Sequence, residues 1–125
     1  NFSIFPGSEL KLLKSLEIGC HGIITATCNV TAELSRKVYD DFLNKKDQVH
    51  NEKLCKVRSI FDKFNLISGL HTFMSDEDII YKNLLPPLSI LNDSDKEKLV
   101  SDLNKINFNI KTLKAAWNAI SKIPK

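Results

Sequence analysis

Arginine is scarce in this chain of 125 residues: Arg36 and Arg58 stand alone among 18 basic side chains, the rest being lysine. No basic block is interleaved with aromatics, so the footprint of a nucleic-acid binder is missing. Long apolar runs are missing too, and none approaches the ~20 residues that a membrane span needs. No signal peptide is visible, although a missing N-terminus would hide one. The three cysteines, Cys20, Cys28 and Cys55, form an odd and loosely spaced set. That argues against a disulfide framework and fits a reducing, cytoplasmic setting. Linkers, internal repeats and low-complexity segments are absent. Asn29-Val30-Thr31 and Asn92-Asp93-Ser94 match the glycosylation sequon, but nothing else indicates secretion. What is present fits a soluble globular class of single-domain length: a net charge of +3 and 26% charged residues. The first residue is Asn1 rather than Met, and an apolar segment starts at once. That is the arrangement expected of the tail of a longer protein.

The rest of the chain is organised around residues 2–29. Phe2, Ser3, Ile4 and Phe5 form a short β-prone segment, which Pro6-Gly7 stops. Ser8 is a good N-cap, and Glu9 puts negative charge in the first helical turn, where the dipole favours it. Leu10, Leu13 and Leu16 follow as one apolar stripe, with Leu12 beside them and Lys11 and Lys14 on the other side. Gly19 ends the helix as a C′ glycine. Gly22 opens a second strand, Ile23-Ile24-Thr25-Ala26-Thr27. Two strands joined by a crossover helix should be parallel, with a right-handed connection. Neither strand alternates cleanly, as expected of strands buried on both faces of a helix-covered sheet. A two-stranded parallel sheet cannot stand alone. Its neighbours should come from upstream sequence or from another chain.

Beyond Asn29 the pattern is helical. Thr31 is placed to cap a helix over 31–44, with Leu34, Val38 and Phe42 inward. Asp47 is placed to cap the next, over 47–64, with Leu54, Val57, Phe61 and Phe64 as its stripe. An apolar segment covers 66–74, and Pro86-Pro87 marks an extended turn. Ser94 with Glu97 makes a capping box ahead of Leu99, Val100, Leu103 and Ile106. A last helix is expected over 110–120, offering Leu113, Trp117 and Ile120.

Two places carry candidate chemistry. Gly7-Ser8-Glu9 follows the C-terminal end of an expected parallel strand, the end where α/β folds bind ligands. There Gly7 lets backbone approach a ligand, and the helix start offers N–H groups to a carboxylate or phosphate. The same residues also suffice for an ordinary cap with no ligand. Residues 25–29 occupy the same end of the next strand, where Thr and Asn either bind substrate or satisfy the turn. Cys20-His21 with Cys28 matches no common zinc spacing, and no fourth ligand accompanies them. A Cys/His nucleophile fares no better, because nothing orients the imidazole. His50 and His71 read as surface or packing residues. No Lys or Arg lies within either expected strand, so a desolvated lysine for Schiff-base chemistry is missing here.

FSIFPGSELKLLKSLEIGCHGIITATCNV resembles the last two βα units of the dihydrodipicolinate synthase/N-acetylneuraminate lyase family. That family shows a Gly-x-Asp/Glu turn, a leucine-rich helix, a Gly-rich approach and a strand ending in Asn. Here these positions are Gly7, Glu9, Gly19, Gly22 and Asn29. LPPLSIL, residues 85–91, resembles the Pro-Pro-Leu segment that precedes the final helices in part of the family. The matches cover residues 2–105. The helices beyond Asn44 match in length and pattern more than in identity.

The resemblance implies an α/β fold: a (β/α)8 TIM barrel, with residues 1–44 as its last two βα units and 45–125 as a C-terminal helical extension. It implies a class I lyase, usually a homotetramer. A lysine on the sixth strand forms an imine with pyruvate or a related 2-keto acid, and a tyrosine on the fifth strand shuttles protons. A Thr-rich turn after the second strand holds the carboxylate. All three would precede Asn1. The imine is itself the electron sink, so no cofactor and no metal is implied. Ile24 matches a strand-eight position whose backbone faces the pyruvate unit, and Ala26 one whose side chain can face substrate. Gly7, Ser8 and Glu9 match the strand-seven turn near the second substrate, an aldehyde. Leu10 falls where sialic-acid lyases carry a sugar-binding acid, which disfavours that substrate. The family's Pro-rich approach to the next helix is replaced by Asn65-Leu66-Ile67-Ser68-Gly69, and residues 107–125 exceed the usual family end. The expected activity is 4-hydroxy-tetrahydrodipicolinate synthase of lysine biosynthesis, with a 2-keto-3-deoxy sugar-acid aldolase as runner-up. The rival from another class is a non-catalytic helical interaction module, marked by a continuous exposed apolar face over 31–120.

Overall fold

The computed structural model describes residues 2–111, 113 and 114. It is built of helices: a 3₁₀ turn Glu9–Lys11 running into α1 (Leu12–Glu17), then α2 (Cys28–Leu43), α3 (Asn51–Phe61), α4 (Leu66–Met74), a second 3₁₀ turn Ile79–Lys82 and α5 (Asp93–Lys105). The chain divides into two compact units, Asn1–Ser59 and Ile60–Lys125. The helix expected over 110–120 falls mostly outside the described residues, including Trp117 and Ile120.

In the first unit α1 packs on α2. Leu12 and Leu16 of α1, Val38 of α2 and Leu54 of α3 form its buried core, flanked by Ile23, Leu34, Tyr39 and Phe42. Leu34, Val38 and Phe42 recur at i, i+4 and i+8, so one face of α2 turns inward as its sequence predicts. The expected stripe on α1 needs correction. Leu12 is 2% exposed while Leu10 is 48% exposed. The tighter 3₁₀ turn at Glu9–Lys11 rotates the register, and the inward pair becomes Leu12 and Leu16, one α-turn apart.

Neither expected strand is present among the described residues; 2–6 and 20–25 run as irregular extended chain. Two backbone bonds join them, His21 N–H to the Ile4 carbonyl (3.0 Å) and Ile24 N–H to the Pro6 carbonyl (3.2 Å). The segments therefore run in the same direction. Two residues on one side face three on the other, and Gly22, at φ 150°, lies in the longer stretch. This bulge-like offset stops a regular ladder from forming. Phe2, Ile4, Phe5 and Ile24 are exposed.

Helix starts differ from expectation where side chains capture amides earlier. The Thr25 hydroxyl accepts from Cys28 N–H at 3.0 Å, so α2 begins at Cys28 and Thr31 lies inside it. Asn92, not Ser94, caps α5, accepting from Asp95 N–H at 2.8 Å. Asp47 lies in the loop before α3, which begins only at Asn51; its carbonyl there accepts from Val49 N–H.

In the second unit α4 packs on α5 and on the turn Ile79–Lys82. The Phe73 ring meets Phe61 edge-on and stacks on Phe108, both at 5.8 Å between centroids. Ile60, Leu70, Leu99 and Leu103 are buried with them. Asn65 caps α4, taking Ser68 N–H at 3.1 Å. The Pro86–Pro87 peptide is cis. Exposed apolar side chains over 31–111 stand singly at Leu43, Val49 and Ile67, then gather at Ile79, Ile80, Tyr81, Leu85 and Ile90. They make no continuous helix face. Among the described residues no helix is long and apolar enough to cross a membrane.

Candidate functional site: a buried acid at two turns

The expected site residues gather in the first unit around Glu9. Ser8, in extended conformation, caps the 3₁₀ turn by accepting from Leu10 N–H at 3.3 Å. This cap points Glu9 into the protein, where it is 0% exposed. An isolated buried carboxylate would be very costly, so its oxygens must be matched. They are. Oε1 accepts from the Thr25 hydroxyl at 2.7 Å and from the Thr31 hydroxyl at 2.8 Å. Oε2 accepts from Arg58 Nη1 at 2.9 Å. The same Arg58 nitrogen lies 3.3 Å from the Thr27 hydroxyl and 3.4 Å from the Gly7 carbonyl.

Burial disfavours ionisation of Glu9, but the hydrogen bonds from Thr27, Thr25 and Arg58 outweigh it and hold the carboxyl below its ordinary range. Burial, with the Glu9 charge nearby, pushes the Cys55 thiol up. Glu9 is therefore an ionised, fully engaged anion. It has no spare proton to give and no free oxygen facing solvent, so its chemical capacity here is to fix what it holds.

What it holds are the two stretches singled out in the sequence. Gly7 and Ser8 lie on one side, Thr25 and Thr27 on the other, and Gly7, Ile24 and Ala26 are exposed around them. Ser8 is half-buried. Gly7, Ser8, Glu9, Ile24 and Ala26 thus lie on two neighbouring turns, joined by the Ile24–Pro6 backbone bond. Asn29 stands in the first turn of α2, its side-chain amide donating to the Ala26 carbonyl at 2.8 Å. Among the described residues no group of three or more His, Cys, Asp or Glu side chains could hold a metal ion.

Arg58, and the bond from Thr31 to Glu9, escaped the sequence reading; Thr25 and Thr27 lie in the stretch it marked as binding substrate or satisfying the turn. The sequence signal for Arg58 is that it is the one arginine of α3, four residues after Leu54 and one after Val57, where the other cations beside the apolar stripe are lysines. A concavity lies in the other unit, lined in part by Lys63, Asn65, Asp95, Lys98 and Asp102. Its charges largely answer one another, Lys63 with Asp102 at 2.9 Å and Lys98 with Asp95 at 3.6 Å. It offers no concentrated charge to a ligand.

With this geometry in view, comparison with known proteins is decisive at family level. The sequence model of the dihydrodipicolinate synthetase family matches residues 1–106. The chain belongs to the dihydrodipicolinate synthetase family. The match spans both turns of the Glu9 site and continues through α5. Two curated relatives, uncharacterized DapA-like lyases from two strains of Halobacterium salinarum, are each 25% identical over 104 residues. The alignment covers 81% of this chain and 34% of each relative, so the chain spans about a third of their length.

Proposed function

We propose that this member of the dihydrodipicolinate synthetase family forms one side of the active-site rim in a Schiff-base lyase. Residues 1–44 would be the last two βα units of a (β/α)8 barrel and residues 45–125 its helical extension. The nucleophilic lysine and the proton-shuttling tyrosine would lie in a preceding part of the full-length protein. Pyruvate, or a related 2-keto acid, would form the imine, and its C3 carbanion equivalent would add to an aldehyde or be released by the reverse cleavage. Gly7 and Ser8 would border the aldehyde, while Ile24 and Ala26 would border the pyruvate unit. Glu9 would shape the rim from beneath. The full-length protein is expected to be a cytoplasmic homotetramer.

The observation that carries this reading is the family match across both turns. The parallel run of 2–6 and 20–25 agrees with it, as does the gathering of Gly7, Ser8, Glu9, Ile24 and Ala26 on adjacent turns. The exposed apolar residues over 31–111 make no continuous helix face, which favours it over a helical interaction module. The leading substrate pair is pyruvate with aspartate semialdehyde, giving 4-hydroxy-tetrahydrodipicolinate synthase; the second is cleavage of a 2-keto-3-deoxy sugar acid. The test is to incubate the full-length protein with pyruvate and borohydride and weigh it by mass spectrometry. A stable pyruvyl adduct on a lysine outside these residues is expected. Absence of an adduct overturns the assignment. Parallel assays with aspartate semialdehyde and with 2-keto-3-deoxygluconate then separate the two activities.

A further inference from the structure

We infer that Arg58 is a positioning residue that sets the spacing of the two rim turns, and hence the fit of the aldehyde rather than that of pyruvate. The inference rests on the lyase reading for its consequence in catalysis, but its structural half stands alone.

One guanidinium nitrogen reaches three acceptors on two separate stretches of chain: the Gly7 carbonyl, the Glu9 carboxylate and the Thr27 hydroxyl. Gly7 and Glu9 flank Ser8, so the turn is held from both sides of its cap. Thr27 follows directly on Ala26, and its hydroxyl lies 3.1 Å from that of Thr25, which donates to the other oxygen of Glu9. The two turns thus share one charged centre, fed from α3. The Arg58 side chain is 12% exposed and that of Glu9 0%, so the pair works with little solvent screening. The backbone alone does not fix the spacing: only two hydrogen bonds join the extended segments, across an offset at Gly22.

Position matters here as well as charge, because all three contacts come from Nη1, which the rigid guanidinium plane carries at a fixed place. Lysine puts its single ammonium on a flexible stem, without the plane that fixes the nitrogen among its acceptors. The Arg58→Lys variant therefore keeps the ion pair and loosens the turns. The asymmetry between substrates follows from place. Gly7 and Ser8 border the proposed aldehyde position, and two of the three acceptors, on Gly7 and Glu9, flank Ser8.

The experiment uses the full-length protein, as wild type, Arg58→Lys and the charge-free pair Glu9→Gln/Arg58→Met. Hydrogen exchange read by mass spectrometry should rise at least tenfold over residues 4–10 and 22–28 in Arg58→Lys, with residues 66–105 unchanged. A role in global stability alone would raise exchange everywhere. In kinetics, KM for the aldehyde should rise at least tenfold, while the rate of borohydride trapping with pyruvate stays within twofold of wild type. The charge-free pair keeps the test open should Arg58→Lys fail to fold, because it removes both charges of the Glu9–Arg58 ion pair together. It too should show local exchange at both turns. A folded variant whose two turns exchange within twofold of wild type overturns the positioning role. Failure of wild type to trap pyruvate overturns the lyase reading instead, and leaves the exchange result to decide the structural claim by itself.

Discussion

Replacing Glu9 by Gln tests whether the buried pair holds the first unit together. The change keeps side-chain size and leaves an amide oxygen for the Thr25 and Thr31 hydroxyls, now 2.7 and 2.8 Å from Oε1. What it removes is the charge opposite Arg58. Breaking a buried ion pair from one side costs ~3–5 kcal/mol, mostly the penalty of stranding the other charge. Arg58 keeps the Gly7 carbonyl and the Thr27 hydroxyl as acceptors, and its side chain is 12% exposed. The loss should therefore sit at the lower end, ~3 kcal/mol. Adding Arg58→Met removes the positive member of the pair as well. Exchanging a buried pair for apolar or neutral groups is often nearly neutral, so the double variant should recover ~2 kcal/mol of the loss. Urea unfolding followed by circular dichroism measures both, with the denaturant slope checked for constancy. A single-variant loss under ~1 kcal/mol, against the ~3 expected, or a double variant no more stable than the single, would refute the reasoning.

Three further outcomes follow from the same structure. Burial opposes ionisation of Glu9, and the bonds from Thr27, Thr25 and Arg58 still place its folded-state pKa below the ordinary 4.5. Its stabilisation is then full above that value and lost as pH falls through the depressed folded-state pKa, where the unfolded chain already binds the proton. Between about pH 5 and pH 3 the urea midpoint of wild type should drop further than that of Glu9→Gln; equal drops would refute this. Gly69 lies inside α4, and a Cβ there would meet Phe61 Cδ1 at 3.5 Å, an ordinary contact. Gly69→Ala should therefore stabilise by ~0.5–1 kcal/mol, a helix-interior gain that a thermal melt resolves. Gly19 has open space around it but a φ of +92°, so Gly19→Ala should destabilise by ~1 kcal/mol instead.

The helices were legible because their apolar spacing is regular. Leu34, Val38 and Phe42 declare the inner face of α2, Leu54, Val57 and Phe61 that of α3, and the apolar segment over 66–74 coincides with α4. Helix starts were less legible, because they depend on which hydroxyl or amide reaches a free N–H first. Thr25 and Asn92 each win that competition against a residue that also fits the capping pattern. The inner face of α1 was misjudged because a 3₁₀ turn precedes it, and a stripe counted from Leu10 inherits the wrong phase. The turns at Gly7 and Thr25 were visible as places where a ligand could sit. Their connection was not, since Arg58 lies 49 residues from Glu9 and no local pattern couples them. The regular ladder expected between 2–5 and 23–27 is absent because β-propensity does not supply register. Gly22 takes up an extra residue that the composition of the segment does not reveal.

The distance along the chain between Glu9 and Arg58 also orders events in time. Until α3 exists, the carboxylate of Glu9 lacks its cationic partner Arg58, and burying it then would be unfavourable. The two turns should consequently stay open and hydrated while the leucines of α1 and the inner face of α2 are already able to meet. During synthesis the acid can go inside with its cationic partner only after Arg58 has emerged, which ties completion of the two turns to the third helix rather than to the segments that form them. A variant slow to form α3 would leave the Gly7 and Thr25 turns as the last part of the first unit to settle, even with every residue of those turns intact.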